Sequence, residues 1–233
     1  MIIASFQKFT MVDYPGRVAA TVFTVGCNFR CSFCHNPELV IGSWSTVHGN
    51  NDNEKEFFKF LKIRKGKLDA VCITGGEPTL QRDLLEFMAK IKKMGYLVKL
   101  DTNGMRPDVL KKALDGKIVD YIAMDIKNSL KNYEKTVCAR VDLDRIKISV
   151  ELIRNSGIDY DFRTTVVPGI HHEKDFKEIA DWLEGSKRYF LQRFRDVKIL
   201  DPNLKNKIKG KELDLEKIKK KIEKNFGFVG IRG

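Results

Sequence analysis

Three observations in the sequence predict an α/β protein built on parallel strands. Short β-branched runs alternate with longer segments of helical period about six times along 233 residues. Some runs, such as 18–25, are apolar on both faces, as strands covered on both sides must be. The residues least typical of a packed core gather just after these runs, where parallel strands carry their active sites.

The candidate strands are 18–25, 68–74, 97–101, 119–126, 158–167 and 188–194. Between them, residues recur at spacings that suit helices: Phe57, Phe60, Leu61 and Arg64; Leu84, Phe87, Met88 and Ile91; Leu143, Ile146, Ser149 and Val150; Phe176, Ile179, Ala180 and Leu183; Leu215, Ile218 and Ile222. Caps agree with this reading. Asp52 or Asn53 precedes the first helix, Gly95 follows the second, and Pro107 suits the first turn of another. Six units fall short of an eightfold barrel, which leaves an open doubly wound sheet or a partial barrel.

Length predicts one domain over residues 1–233, large enough to bury a core. With 42% hydrophobic residues the chain is not disordered, and no stretch approaches the ~18 apolar residues of a membrane span. Residues 1–10 lack the basic flank and cleavage site of a signal peptide, so a cytoplasmic protein without a membrane partner is expected. The net charge of +12 is concentrated late: residues 187–233 hold 15 Lys/Arg against 6 Asp/Glu. A basic helical region is expected at about 201–233. It reads first as a solvated lysine-rich helix and second as a surface for an acidic partner.

Three of the five cysteines, Cys27, Cys31 and Cys34, lie within eight residues directly after the first candidate strand. An odd total in a cytoplasmic chain argues against a disulfide framework. Clustered thiols on a loop indicate a metal. Closed structural zinc needs four ligands, and His35, adjoining Cys34, is poorly placed to be the fourth. A 4Fe–4S cluster held by three thiolates keeps one iron open, as a reactive cluster requires. Cys72, in an apolar run, and Cys138, on an expected helix, read as core residues.

Three further clusters follow later strands. Thr74-Gly75-Gly76-Glu77 offers glycines for close backbone approach to a ligand and a carboxylate for a ligand ammonium, although Gly-Gly after a strand is also an ordinary turn. Asp101-Thr102-Asn103-Gly104 has turn chemistry. Met124-Asp125-Ile126-Lys127 puts a carboxylate and an ammonium on one strand face, two residues apart. Arg163 is read at a strand's end as a contact for cofactor or partner. His48, His171 and His172 read as structural or exposed, His35 as a cluster neighbour, and Trp44 and Trp182 as packing residues.

Cys27, Cys31 and Cys34, with Phe33 before the last cysteine, resemble the signature of the radical S-adenosylmethionine (SAM) enzymes, and Gly75-Gly76-Glu77 resembles their GGE motif. More narrowly, Asp13-Tyr14-Pro15-Gly16, Cys34-His35-Asn36, Asp101-Thr102-Asn103-Gly104, Asp125-Ile126-Lys127, and Arg163 through Val167-Pro168-Gly169 resemble the glycyl-radical-enzyme activating proteins. The compact N-terminal segment and the lack of further cysteine clusters look most like the branch that activates anaerobic ribonucleoside-triphosphate reductase. The pyruvate formate-lyase activators share nearly the same motifs.

The resemblance implies a (β/α)6 partial barrel of parallel strands. It implies a 4Fe–4S cluster on Cys27, Cys31 and Cys34, with SAM bound to the open iron. Phe33 would lie at the adenine and Asn36 beside the cofactor. Gly75, Gly76 and Glu77 would meet the methionyl amino group. Asp125 and Lys127 would meet ribose and carboxylate, and Arg163 would contact the cofactor. Asp101, Thr102 and Met124 match residues that surround a Na+ or K+ ion in the pyruvate formate-lyase activators. Where those relatives carry a histidine after the sixth strand, this chain reads Leu191-Gln192-Arg193-Phe194-Arg195, with Gln192 or Arg195 as substitutes. The implied activity is reductive cleavage of SAM and abstraction of a glycine α-hydrogen from a partner enzyme, with a flavodoxin or ferredoxin as electron donor. The competing readings are a radical enzyme acting on RNA or a small molecule, and a non-enzymatic iron–sulfur or zinc module. A nucleic-acid partner is not expected, since no aromatic-basic binding module stands beyond the motifs.

Overall fold

The computed structural model describes residues 1–41 and 52–233, so Trp44 and His48 lie outside the described residues. The described chain forms two compact units. One comprises Met1–Asn28, Glu38–Thr102 and Arg106–Ile122; the other comprises Phe29–Pro37, Asn103–Met105 and Ala123–Gly233. In each, strands neighbour one another in chain order.

In the first unit β1 (Ile3–Thr10) runs antiparallel to β2 (Ala19–Thr24). Next come α1 (Pro37–Ile41) and α2 (Asp52–Ile63). β3 (Ala70–Gly75), α3 (Leu84–Lys93), β4 (Leu97–Thr102) and α4 (Pro107–Asp115) follow. β2, β3 and β4 are parallel, with Thr21 opposite Cys72 and Cys72 opposite Lys99. α2 and α3 bury the faces that their spacing indicates: Phe57 stacks on Phe87 at 5.8 Å, both essentially without solvent contact. Burying each such ring is worth roughly 1.5–3 kcal/mol. Pro107 opens α4 at its first turn, as expected.

β5 (Tyr121–Asp125) begins in the first unit and ends in the second. The second continues through α5 (Tyr133–Val137), α6 (Leu143–Arg154), β6 (Asp159–Val166), α7 (Glu173–Trp182), β7 (Arg188–Arg193), α8 (Leu204–Ile208), α9 (Leu215–Ile222) and β8 (Phe228–Arg232). β6, β7 and β8 are parallel. The Ile126 amide donates to the Arg163 carbonyl at 2.8 Å, which ties the chain after β5 to β6. Tyr189 stacks on Phe226 at 4.9 Å, and its hydroxyl donates to Thr164 Oγ1.

The six expected strands are present with ends moved by at most two residues, and two more flank them. β1 escaped notice because it is an edge strand that exposes Gln7, Lys8 and Phe9, so no apolar face marks it. β8 escaped because it is short and contains Gly230. A Cβ at Gly230 would lie 2.6 Å from the Phe190 ring, over which the Arg232 guanidinium sits at 3.3 Å. Residues 201–233 are therefore not one helical region: two short helices, a 3-10 turn and an edge strand share them. Cys138 also departs from expectation. It ends α5 in the left-handed conformation, with φ at 50°, and its thiol is exposed rather than in the core. Cys72 is completely buried, as expected, and Trp182 is half-buried on α7.

Candidate active site

In the first unit the glycine pair determines how the chain leaves β2 and β3. Gly75 has φ at +124°, and a Cβ there would lie 2.2 Å from the Thr24 nitrogen. A Cβ on Gly76 would lie 2.0 Å from the Gly26 carbonyl oxygen. The Gly76 amide donates to Thr24 O at 2.9 Å and the Glu77 amide to Gly26 O at 2.7 Å. The Gln81 side chain donates to Val25 O at 2.7 Å. What these glycines approach is thus the protein's own backbone, at Thr24 and Gly26 shortly before Cys27. They let the segment that carries Cys27 sit against the end of β3.

Glu77 is 1% exposed. Its Oε1 accepts from the Thr79 amide at 3.1 Å, the Thr79 hydroxyl at 2.5 Å and the Thr102 hydroxyl at 2.8 Å. A buried carboxylate needs such donors to offset its lost hydration. One residue before Thr102, Asp101 accepts from the Lys99 ammonium. Lys99 Nζ also lies 3.7 Å from Cys72 Sγ, and the Cys72 thiol is 3.8 Å from Asp101 Oδ1. Sequence reasoning overlooked Lys99, Thr79 and Gln81. The available signal was a lysine inside the otherwise apolar run 97–100.

In the second unit the loop after Asn28 carries Cys31, Phe33, Cys34, His35 and Asn36. Cys34 N–H closes a turn onto Cys31 O at 3.0 Å, and Arg30 N–H donates to Val137 O at 2.9 Å. The chain beyond β7 clasps this loop. Leu200 N–H donates to Cys34 O at 3.0 Å and Asp201 N–H to Ser32 O at 2.9 Å. His35 stacks on Phe194, with 15° between the rings, and its Nε2 bonds the Arg195 carbonyl at 3.0 Å. Within the segment Leu191–Arg195 and its neighbours, the Phe194 ring and the Arg195 backbone are what meet His35. Asn36 is half-buried, and buried Phe33 meets His171 edge-on at 6.3 Å.

Asp125 ends β5, with Lys127 two residues beyond; Lys127 Nζ reaches Asp125 Oδ2 at 2.8 Å and Arg163 Nε reaches Oδ1 at 2.5 Å. Burial pushes the Asp125 carboxyl up, but the charges of Arg163 and then Lys127, with their hydrogen bonds, outweigh it and hold the group well below the usual carboxylate range. Burial lowers Lys127, yet Asp125 and then Cys31 hold it protonated, well above the ordinary lysine value. Arg163 stands inside β6 rather than at its end, committed to Asp125.

His171 is buried. Its Nδ1 accepts from the Val167 amide at 3.0 Å, so its Nε2 carries the proton donated to Lys127 O at 2.8 Å. Burial pushes its pKa down. His172 is the exposed N-cap of α7. Met124 is fully buried, and a Cβ on Gly104, whose φ is +81°, would lie 2.1 Å from its Cε. Exposed Cys138 lines a cleft of about 250 Å3 with Ser32, Asn132, His172, Asp201 and Lys207.

The donor set fits an iron–sulfur cluster: three thiols spaced C-x3-C-x2-C on a loop whose backbone is pinned on both sides of its cysteines. The sequence pattern of the Radical SAM superfamily matches residues 21–183. A putative glycyl-radical enzyme activating enzyme of Methanocaldococcus jannaschii is 30% identical over 99% of this chain and 95% of its own length. The pyruvate formate-lyase-activating enzyme of Streptococcus mutans is 27% identical over 92% of this chain and 82% of its own. Among solved structures, SuiB of Streptococcus suis bound to S-adenosylmethionine superposes with a TM-score of 0.66 at 16% identity, covering 90% of this chain and 49% of SuiB. The chain spans about half the length of that structure, and the likeness shows the fold alone.

This α/β protein with mainly parallel strands therefore belongs to the radical SAM superfamily, whose fold is the expected partial barrel. Within that superfamily it falls among the glycyl-radical-enzyme activating enzymes. No described helix is long and apolar enough to cross a membrane.

Proposed function

We propose that the chain, with residues 1–233 acting as one radical SAM domain, removes a hydrogen atom from a glycine α-carbon of a partner enzyme, anaerobic ribonucleoside-triphosphate reductase. The observation that carries the reading is the pinned loop of Cys27, Cys31 and Cys34, in a chain aligned end to end with a glycyl-radical enzyme activating enzyme. Cys27, Cys31 and Cys34 would hold a 4Fe–4S cluster, which would supply the low-potential electron for reductive cleavage of SAM.

The chain's own residues bind and orient. Gly75 and Gly76 hold the chain against Thr24 and Gly26 and so position Glu77, whose buried carboxylate attracts the methionyl ammonium. Lys127 offers a fixed positive charge to the carboxylate, and Asp125, kept ionised by Arg163, accepts from ribose hydroxyls. Phe33 and Asn36 flank the adenine side. Buried Phe29 and Tyr133, packed edge-on at 6.4 Å, keep water from that side of the loop.

A flavodoxin or ferredoxin is the electron donor in this reading, attracted by the lysines of α9. Pyruvate formate-lyase is the second reading for the partner, favoured by the Streptococcus mutans relative.

The test is anaerobic reconstitution followed by SAM and dithionite. The expected outcome is 5′-deoxyadenosine together with a glycyl spin-resonance signal in the reductase. A signal in pyruvate formate-lyase alone replaces the partner. Absence of 5′-deoxyadenosine overturns the whole reading.

A further inference from the structure

We infer, resting on the reading above, that Lys99 is an internal cation of this site: its ammonium takes the place on Asp101 that a Na+ or K+ ion needs, so SAM binding requires neither ion. Lys99 lies in β4 between Val98 and Leu100, both without solvent contact. The exposures of the paired side chains are 4% for Lys99 and 12% for Asp101. On the β3 side Lys99 faces Cys72, an uncharged thiol, and beyond it Cys72 faces Thr21, whose hydroxyl donates to Asp13. The Tyr121 ring lies 5.8 Å from Nζ and adds a cation–π contact. An ammonium so desolvated is held by the carboxylate it pairs with.

The pair stands beside the machinery proposed above. Asp101 adjoins Thr102, whose hydroxyl donates to Glu77. Buried Glu77 and half-buried Asp101 therefore flank one threonine, and the Lys99 ammonium balances the second of them. A metal cation at Asp101 would bring another positive charge against one already fixed there, in a medium where like charges repel strongly. Asp101 in this chain thus fits a covalently tethered ammonium, a group about the size of K+, rather than a diffusible ion.

The test has two readouts. First, SAM affinity of the reconstituted enzyme is measured by calorimetry in choline, sodium and potassium chlorides of equal ionic strength. The wild type is expected to bind equally in all three. Lys99→Met is expected to bind about tenfold more weakly in choline, the effect of uncovering a desolvated carboxylate, and to recover in Na+ or K+. Second, the melting temperature of the cluster-free chain is followed in the same salts, where Lys99→Met alone should be raised by Na+ or K+ over choline.

Tighter binding of SAM by the wild type in Na+ or K+ overturns the inference, and that measurement needs no variant to fold. A Lys99→Met protein equally weak in every salt also overturns it. If the wild type binds no SAM at all, the functional reading has failed, while the melting comparison still decides the role of Lys99.

Discussion

Arg163 Nε meets Asp125 Oδ1 at 2.5 Å, joining β6 to the end of β5 at the point where the chain turns toward Lys127. Because Asp125 is held below its ordinary value, the pair stabilises the fold above the unfolded carboxylate pKa of about 4. That stability is lost as pH falls below it. Urea unfolding of the wild type should therefore show falling stability from about pH 4 downward. Arg163→Met should flatten this slope and cost roughly 1–3 kcal/mol at neutral pH, since Lys127 still covers part of the charge.

Gly76→Ala should be far more damaging than substitution of a glycine with open space around it. Its methyl would meet the Gly26 carbonyl, and the only relief is to move the segment before Cys27. Iron content after reconstitution should fall by more than half, on the order of the disruption expected from a backbone clash. Gly95→Ala, with φ at +92° but open space around it, should cost roughly 1 kcal/mol and leave iron content unchanged.

His35→Ala removes both the ring stacked on Phe194 and the bond to Arg195 O. The loop then keeps its backbone ties to Leu200 and Asp201 but loses its side-chain anchor. The cluster should form, yet bleach several-fold faster in air, as followed by absorbance. An unchanged bleaching rate would show that the backbone ties suffice.

Lys217 and Lys221 are engaged by Glu173 at 2.9 and 2.6 Å, and those ammonium groups lower the Glu173 pKa to about 2. A charge reversal meant to probe an acidic electron donor should spare them. Lys219→Glu with Lys220→Glu should slow reduction by flavodoxin or ferredoxin several-fold at low salt and leave dithionite reduction unchanged. Equal rates with the protein donor would discard α9 as the docking face.

Cys31→Ala should abolish cluster formation. Cys138→Ala, which removes an exposed thiol at the end of α5, should leave iron content and SAM cleavage intact.

Periodicity and punctuation were enough to locate the six central strands and the amphipathic helices, because burial on a repeating face leaves a repeating pattern. Residue chemistry singled out Cys27, Cys31, Cys34, Gly75, Gly76, Glu77, Asp125 and Lys127, because thiols, glycine pairs and charged groups at strand ends have few structural uses. Strands β1 and β8 were illegible, since edge strands need bury little and carry no strong alternation.

The sequence by itself determined the class of chemistry. Three thiols at fixed spacing mark out a candidate metal loop, and local spacing is a property of the chain. Which groups face one another was decided only by the tertiary structure. Lys99 beside Cys72, Arg163 on Asp125, Gly76 against Gly26, and Phe194 against His35 join residues brought together by strand register or by the return of the chain beyond β7. The physical reason is that a charge or a ring gains its effect from what desolvates and opposes it. For these residues, packing across the sheet selects those neighbours, in ways that separation along the sequence does not reveal.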